Sequence, residues 1–284
     1  MRGDGDGWAV GPDGDKRWGR HGAAGLLLRA PLPDGTPAVL LQHRAAWSHQ
    51  GGTWALPGGA RDSHESTVDA AVREAHEEAG IEVTALAVRA VRVTSGSVGG
   101  WTYTTVVADA AAPLDTTLNG ESTELRWVPE EQVGEMPLHA GFAEAWPALR
   151  TRPVRMLLDT ANVLGSTGPT GWWRDRPGAT SALLANLAAV LPRTVELPDG
   201  LFGWVPQVEA VLEGAARGAA TDDARIPVHT AEGSADDELA RLAASTATAV
   251  DPGVTVVVTA DRGLRDRLPG NAVTLPPSAV LAWL

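Results

Sequence analysis

The sequence predicts an α/β protein of two domains, and three observations support that prediction. The chain has 284 residues, more than one average domain, and 44% of them are hydrophobic, enough for two cores. The first half places apolar strands around two helical segments. After a break at Arg150 to Pro153, apolar strands alternate with Ala- and Leu-rich segments, which is typical of a parallel sheet. We therefore place the domains at residues 1–150 and 151–284.

Apolar runs separated by turn residues define the elements of the first half. A Pro-Asp-Gly turn at Pro12 to Gly14 predicts a small hairpin, and the prolines and glycine between Arg29 and Ala38 predict a turn between two strands. Apolar periodicity assigns the other elements. In order, we predict strands Trp8 to Val10, Arg17 to Trp18, Ala23 to Arg29 and Ala38 to His43, helix Ser66 to Ala79, strands Val83 to Thr94, Trp101 to Ala108 and Leu125 to Val128, and helix His139 to Leu149.

Acidic residues follow the strands of the second half. The predicted strands are Val154 to Leu158, Val208 to Leu212, Ile226 to His229 and Val254 to Thr259. Asp159 ends the first of these and is followed by Asn162, Asp261 ends the last, and Asp236 and Asp237 open a helical segment. Open parallel sheets bind ligands beyond the carboxyl ends of their strands, so we expect these acids to converge. Aspartates that simply cap helices are the alternative.

Composition narrows the classes of function. The net charge is −12, and neither half is basic, which argues against an extended polynucleotide groove but leaves room for a small phosphorylated ligand held by a few arginines. The absence of cysteine removes disulfides, thiolate metal sites and cysteine nucleophiles, so a metal would need oxygen or imidazole ligands. No apolar run is long enough for a membrane span or a secretory signal, and we expect a cytoplasmic protein without membrane contact.

The stretch WALPGGARDSHESTVDAAVREAHEEAGI, residues 54–81, contains a well-specified helix. Ser66 and Asp69 form a capping-box pattern, and Gly80 stands where the helix is expected to end. The predicted apolar face consists of Val68, Ala71, Val72 and Ala75.

Three acids of this helix, Glu74, Glu77 and Glu78, stand at positions i, i+3 and i+4. Like charges at that spacing cost about 0.2 to 0.5 kcal/mol per pair, and Arg73, four residues before Glu77, offsets only part of it. A solvated charged face is the ordinary meaning of such a run. A divalent cation would instead turn the repulsion into affinity, and Mg²⁺ prefers carboxylate oxygens.

The segment GARDSHESTVDAAVREAHEEAGI resembles an unbroken Nudix box. It is preceded by the usual Leu56-Pro57-Gly58-Gly59 and closes with the hydrophobic Ile81 after Gly80. The resemblance covers about the first half of the chain and implies an α/β/α sandwich around a mixed sheet. It also implies a nucleotide-type small-molecule substrate.

By this resemblance, a divalent cation, Mg²⁺ or Mn²⁺, would be held by the carbonyl of Gly58 and the carboxylates of Glu74, Glu77 and Glu78. Two further residues would orient those carboxylates, Glu65 and Arg73. The implied reaction is hydrolysis of a pyrophosphate link by in-line attack of water, with one of the glutamates as general base. The spacing leaves open which glutamate takes the proton.

Residues outside the box add weaker candidates. Glu121 and Glu124 precede a strand where members of this family often place an additional acid, and Arg44 resembles a phosphate-contacting position. An ordinary surface role is the alternative for all three. Trp47 and Trp54 are candidates for stacking on a base, although tryptophans near a sheet more often belong to the core.

The segments LLDTANVL, SADDELA and VVVTADRGL resemble the three acidic segments of PIN-like nucleases, especially the NYN branch. The resemblance covers roughly residues 154–284. It implies a second Mg²⁺ or Mn²⁺ site formed by Asp159, Asp236 and Asp261, with Asn162 and Asp237 assisting and Glu213 as a further candidate. A rim that contacts phosphates would come from Arg174, Arg176, Arg262, Arg265 and Arg267.

Three hypotheses follow. The first is a Nudix-type hydrolase that cleaves a nucleoside diphosphate linked to another group, such as a modified nucleoside triphosphate, and carries a PIN-like domain. In the second, the first half trims 5′ ends of RNA and the second half cuts the strand. The third makes the C-terminal half a non-catalytic binding or dimerisation module, which would allow a homodimer.

Overall fold

A computed structural model of the chain describes residues 3–12, 14, 16–96, 99–168, 171–245 and 253–284. Two compact units make up the chain, Met1–Arg150 and Thr151–Leu284. Among the described residues, no helix is both long enough and apolar enough to cross a membrane.

The described part of the N-terminal unit combines a small hairpin with a mixed sheet and three α-helices. Its strands are β1 (Trp8–Val10), β2 (Lys16–Trp18), β3 (Ala23–Pro31), β4 (Pro37–Arg44), β5 (Trp54–Ala55), β6 (Gly58–Ala60), β7 (Ala87–Gly96), β8 (Thr102–Asp109) and β9 (Ser122–Pro129). Its helices are α1 (Thr67–Ala79), α2 (Glu130–Val133) and α3 (Ala140–Leu149). The sheet runs in the order β5-β4-β3-β8-β7, with β6 paired to β3 and β9 paired to β4. Only the β3–β8 pair is parallel within this sheet as described.

Alanines let α1 pack closely on this sheet. The buried residues of α1 are Ala70, Ala71, Ala75, Glu78 and Ala79. Four of them are alanines that join one core cluster with Leu26 and Leu28 of β3 and Val106 of β8. A helix with short side chains on one face brings its backbone close to the sheet, so the residues at the edge of that face lie near the strand ends. This packing positions the candidate site.

The predicted elements of the first half are largely confirmed, with corrections in detail. The hairpin of β1 and β2 forms, although Asp13 of its predicted turn lies outside the described residues. The strand predicted from Val83 instead begins with a 3₁₀ turn, Val83–Ala85, and pairs only from Ala87. Val72, expected on the apolar face of α1, is only half-buried.

The C-terminal unit is a three-layer α/β structure. Its strands are β10 (Thr151–Asp159), β11 (Arg193–Glu196), β12 (Phe202–Val205), β13 (Val208–Leu212), β14 (Val228–Thr230), β15 (Val254–Val258) and β16 (Val273–Leu275). Its helices are α4 (Thr160–Gly165), α5 (Arg176–Ala189), α6 (Ala235–Ala244), α7 (Arg262–Arg265) and α8 (Pro277–Leu281). Leu184 of α5 belongs to the core on one face of the sheet, and Leu239 of α6 belongs to the core on the other.

The strands of this unit change direction of growth at β10. β10 pairs in parallel with β13 on one side and β15 on the other, while β14 extends from β13 and β16 from β15. The chain therefore builds outwards from β10 to β14 and returns to β15 beside its starting strand. The crevice between the carboxyl ends of β10 and β15 is a topological switch point, where open sheets bind ligands. The hairpin of β11 and β12, and β16, were not predicted.

A buried arginine ties the N-terminal unit together. Arg29 on β3 is fully buried; its Nε donates to Glu130 at the start of α2, and its Nη1 lies 3.9 Å from Oδ1 of Asp109 on β8. Its Nη2 also donates to the carbonyl of Leu149, the last residue of α3, at 3.1 Å. Since a buried charge is costly without such partners, one guanidinium links β3 to three other elements.

We predict that Arg29→Met lowers the free energy of unfolding by about 3 to 5 kcal/mol, because it takes the guanidinium away from two buried carboxylates. Urea-induced unfolding followed by circular dichroism measures this change. Arg126→Met is the matched control, since Arg126 pairs with Glu124 at the surface, and it should cost at most about 1 kcal/mol. Equal unfolding midpoints for the two variants would contradict the prediction.

Candidate active site and a second acidic cluster

Local capping fixes the helix that carries the acids. The Ser66 side chain accepts a hydrogen bond from the Asp69 amide, and the Asp69 carboxylate accepts one from the Ser66 amide, which completes the predicted capping box. Gly80 ends α1 in the left-handed region at a φ of 70°, a conformation that favours glycine. Between these caps, Glu74, Glu77 and Glu78 occupy one side of the last turns.

Arg73 lies at the centre of the acidic turn, the name used here for the turn of α1 that carries Glu74, Glu77 and Glu78. Its Nε and Nη2 donate to the two carboxylate oxygens of Glu65 at 2.7 and 3.0 Å, and its Nη1 donates to Glu74 at 2.7 Å. Nη2 also donates to the carbonyl of Ala60 at 2.9 Å, and Glu77 lies within 3.4 Å of Nη1. The hydrogen bond from Arg73 is the main cause that lowers the pKa of Glu65. The structure therefore brings three of the predicted residues, Glu65, Glu74 and Glu77, together around the guanidinium of Arg73.

The three glutamates of α1 lie in different environments. Glu77 is 58% exposed, whereas Glu78 is only 5% exposed and Glu74 is largely buried. Burial raises the pKa of Glu74 to about 7 and that of Glu78 to about 8, in both cases against the effect of hydrogen bonds that favour the charged form. Glu74 and Glu78 thus have pKa values near neutral pH, whereas the neighbouring Glu77 is open to solvent.

A glycine makes room for the buried carboxylates. Gly58 and Gly59 belong to β6, which pairs with β3 and runs alongside α1. A Cβ atom on Gly59 would stand 2.6 Å from Cδ of Glu74, so only glycine fits there without displacing that carboxylate. The amide of Gly58 donates to Oε2 of Glu78 at 2.7 Å. This all-oxygen set of donors, in a niche that a methyl group would fill, has the chemistry that suits Mg²⁺ or Mn²⁺.

The weaker candidates outside the box differ in whether they lie near the acidic turn. The charge of Glu121 contributes to the raised pKa of Glu74 and of Glu78, so Glu121 lies on the side of the acidic turn. Glu124 lies opposite His43 in the β4–β9 pair and accepts hydrogen bonds from Arg126 instead.

Arg44 stands at the end of β4, and its Nε donates to the carbonyl of His49 at 3.1 Å. Burial, together with the charge of Arg44, lowers the pKa of His139 to about 4. Trp54 is buried against His43, whereas Trp47 is 71% exposed. Of the two tryptophans, Trp47 is thus the one that remains accessible.

Sequence reasoning missed three residues that adjoin the buried carboxylates. Gln42 and Ser122 form a hydrogen-bonded pair that reaches Glu78. The pKa of Tyr103 is raised by burial and by the charges of Glu78 and Glu74. One signal was available in the sequence, since Gln42 is a polar residue in the apolar run AVLLQ of β4.

In the C-terminal unit, acids that follow different strands are close enough for their charges to shift one another's pKa. Burial raises the pKa of Asp159, which is 5% exposed, and the charges of Asp236 and Glu213 raise it further. Burial likewise raises the pKa of Asp236, as do the charges of Asp261, Glu213 and Asp237. Asp159 and Asp261 stand at the switch point between β10 and β15.

Hydrogen bonds connect several of these residues. Asp159 Oδ1 accepts from the Asn162 amide at 3.1 Å, and its Oδ2 accepts from the Thr259 hydroxyl at 2.8 Å. Asn162 Oδ1 accepts from the Ala260 amide, and Asp261 Oδ1 accepts from the Leu264 amide. Both aspartates thereby cap helices, as the alternative interpretation expects.

Other predicted residues of the second site have partners of their own. Asp237 is exposed and accepts a hydrogen bond from Arg267. Arg265 donates to the hydroxyl of Thr274, and Arg176 lies over the ring of Trp172. The rim that was predicted from sequence is therefore partly engaged within the unit.

An α/β fold whose helix presents clustered carboxylates beside a glycine-lined strand indicates a phosphate hydrolase as the class of protein. The sequence profile of the NUDIX domain matches residues 19–150. The chain is 54% identical over 208 residues to a Mycobacterium tuberculosis protein named "Putative 8-oxo-dGTP diphosphatase 3", covering 72% of this chain and 85% of that protein. The chain belongs to the Nudix pyrophosphohydrolase family.

Two further proteins are similar to parts of this chain. A Bifidobacterium longum "Nucleoside triphosphate pyrophosphatase/Nudix hydrolase fusion protein" is 40% identical over 153 residues, which is 52% of this chain and 31% of that protein. The crystal structure of RenU, a Nudix hydrolase from M. smegmatis, is 64% identical, with a TM-score of 0.49 over 50% of this chain and 91% of that one. The similarity to the M. tuberculosis protein spans more residues than the first 150 and so reaches into the C-terminal unit.

We predict that Glu78→Gln stabilises the metal-free protein at alkaline pH. Because the folded pKa of Glu78, about 8, exceeds its ordinary value of 4.5, its favourable contribution below pH 4.5 is lost as the pH rises towards 8. The neutral amide avoids that loss, and each pKa unit corresponds to about 1.4 kcal/mol. Urea unfolding in EDTA at about pH 6 and about pH 9 measures the gain.

Glu77→Gln is the matched control, since Glu77 is mostly exposed and neighbours Glu78 in sequence. It should show no comparable gain at the higher pH. If Glu78→Gln were no more stable than the wild type at about pH 9, the burial argument for this carboxyl would be wrong.

Proposed function

We propose that residues 1–150 form a Mg²⁺-dependent Nudix hydrolase domain that cleaves a pyrophosphate bond in a nucleoside diphosphate linked to another group. The observation that carries this proposal is the cluster around Arg73, in which Glu65 and Glu74 receive hydrogen bonds from one guanidinium while Glu78 is held against β6. Repulsion among acids that close to one another is offset only in part by a single arginine. A divalent cation supplies the remaining charge.

The cation would be held by the carboxylates of Glu74, Glu77 and Glu78 and by the carbonyl of Gly58. When bound, it supplies neutralisation of phosphate charge and acidification of water. Arg73 orients Glu74 by direct hydrogen bonding and is itself held by Glu65 and the carbonyl of Ala60. These contacts support the orienting role of Glu65 and Arg73.

In the reaction, a water oxygen forms a bond to one phosphorus as the bridging P–O bond breaks, and the other phosphate leaves. A glutamate of the acidic turn accepts the proton of that water. Because Glu74 and Glu78 are largely buried, a charge on either interacts more strongly with a bound cation than it would in bulk water.

The substrate we propose is a modified nucleoside triphosphate. The M. tuberculosis relative is named for 8-oxo-dGTP, which makes that nucleotide the first to test. Arg44 supports binding of a phosphate because it is a cation at the end of β4, and Glu121 adds an acid on the side of the turn. Trp47 is exposed and is our candidate for stacking on the base.

We predict that Glu77→Gln and Glu78→Gln each lower Mg²⁺-dependent hydrolysis by about 10²- to 10⁴-fold. Product release from 8-oxo-dGTP, dGTP and other nucleoside triphosphates, followed by ion-exchange chromatography, measures the activity. The matched control is Glu82→Gln, an exposed acid just after the helix. Equal activity in the wild type and in both variants would remove the assignment.

A second candidate function concerns residues 151–284, for which we propose a PIN-like domain that cleaves RNA with Mg²⁺ or Mn²⁺. The observation that favours it is that the Thr259 hydroxyl, at the switch point, donates to Oδ2 of Asp159 and accepts from the Asp261 amide, while the charges of Asp236 and Glu213 raise the pKa of Asp159. Asn162 supports the arrangement because it bridges Asp159 and the backbone that leads to Asp261. A non-catalytic binding or dimerisation module is the alternative for this unit.

We predict that the intact chain cleaves labelled single-stranded RNA in the presence of Mn²⁺ and that Asp159→Asn or Asp261→Asn abolishes the cleavage. A Glu78→Gln background separates this activity from hydrolysis at the first site. The control variant is Asp222→Asn, an exposed acid of the same unit. Intact RNA across varied sequences would favour the binding-module alternative.

A further inference from the structure

Gln42 is a polar side chain in the interior of the N-terminal sheet. It is 1% exposed, and the neighbouring residues of β4, Leu40 and Leu41, belong to the buried core. A buried carboxamide is unfavourable unless its donors and its acceptor are all hydrogen-bonded. The contacts of Gln42 therefore show what keeps it there.

Every polar group of the Gln42 carboxamide is engaged. Its Nε2 donates to the carbonyl of Leu56 at 3.1 Å and to Oε2 of Glu78 at 2.9 Å, and its Oε1 accepts from the Ser122 hydroxyl at 2.5 Å. Leu56 and Glu78 both present acceptors, so they require the amide nitrogen. The Ser122 hydroxyl then faces the amide oxygen and holds the carboxamide in that orientation.

These contacts restrict the carboxylate of Glu78. Its Oε2 accepts two hydrogen bonds, from Gln42 and from the Gly58 amide at 2.7 Å. Within the described parts of the chain, Oε1 of Glu78 accepts none. One oxygen of this carboxylate is thus committed to the protein, and the other is left for a ligand.

A β-bulge brings Ser122 to this position. In the β4–β9 pair, His43 lies opposite Glu124 and Arg44 lies opposite Ser122, so the register shifts and Thr123 has no opposite residue. Opposed residues share a face of the sheet, and a shift of one residue exchanges the faces. Without the bulge, Thr123 would stand opposite Arg44 and the Ser122 hydroxyl would turn to the other face.

We infer that Gln42 and Ser122 are positioning residues for the Nudix reaction, because they fix the carboxylate of Glu78 so that one oxygen is available for the divalent cation. This inference rests on the proposed function, in which Glu78 is a metal ligand. The hydroxyl of Ser122 orients Gln42, Gln42 orients Glu78, and neither residue touches the substrate. Ser122 therefore acts on Glu78 through Gln42.

The test measures Mn²⁺ affinity by isothermal titration calorimetry alongside the apparent KM for Mg²⁺ in hydrolysis. Gln42→Met keeps the length of the side chain and removes its hydrogen bonds, and we expect it to weaken Mn²⁺ binding by about 10- to 100-fold. Ser122→Ala should weaken binding in the same direction, and Ser122→Thr, which keeps the hydroxyl, should restore it. The KM for the nucleotide at saturating metal should stay close to that of the wild type.

Thr123→Ala is the matched control, since it removes a hydroxyl from the next residue of the same strand. The Thr123 hydroxyl contacts Nδ1 of His43 and lies away from Glu78, so Mn²⁺ affinity should not change. A double variant adds a second check. If Ser122 acts through Gln42, then Ser122→Ala has no further effect on Mn²⁺ affinity in the Gln42→Met background.

The outcomes separate this inference from the proposed function. If the wild type takes up no Mn²⁺ and hydrolyses no nucleotide, the proposed function fails. If the wild type binds Mn²⁺ and Ser122→Ala binds it equally well, with only a lower melting temperature, the pair is structural and the inference is wrong. Should Gln42→Met fail to fold, the comparison of Ser122→Ala with Ser122→Thr decides the matter.

Discussion

The guanidinium of Arg73 holds the acidic turn of α1 in place. It reaches Glu65 in the loop before the helix, Glu74 within the helix and the carbonyl of Ala60 on β6. Without a cation at this point, the loop, the helix and the strand would present acceptors and negative charges to one another. The geometry of the candidate site depends on that pairing, because Glu65 and Glu74 come from different segments.

Close approach of backbone is the second requirement. The alanine face of α1 allows the helix to lie near β3 and β6, and Gly59 leaves space for the carboxylate of Glu74. Burial then raises the pKa of Glu74 and Glu78, since desolvation disfavours the charged form. The same small residues that bring the elements together therefore set the electrostatics of the acids, and packing and chemistry are not separable here.

Local sequence signals predicted what local interactions determine. The capping box of Ser66, the terminating Gly80 and the spacing of the box follow from residues close in sequence, and strand β13 begins and ends where the apolar run does. The short hairpin of β11 and β12 has too few residues to show a period. The relation of Ser122 to Gln42 depends on a bulge between strands about 80 residues apart, which no single segment encodes. Glu124 pairs with Arg126, two residues further along the same strand and so on the same face.

Helix capping accounts for only some of the acids in the C-terminal unit. Asp159 and Asp261 do cap α4 and α7 with one oxygen each. Asp236 does not, because Ser234 caps α6 instead. An N-cap needs no burial, yet Asp159 is almost fully buried with a raised pKa beside other acids, an arrangement that disfavours its charged form. Capping accounts for the position of two acids along the chain; it gives no reason to bury one of them within the field of two others. Acids whose pKa is raised by burial and by neighbouring charges, at the carboxyl ends of parallel strands, support the cation site that we propose for this unit.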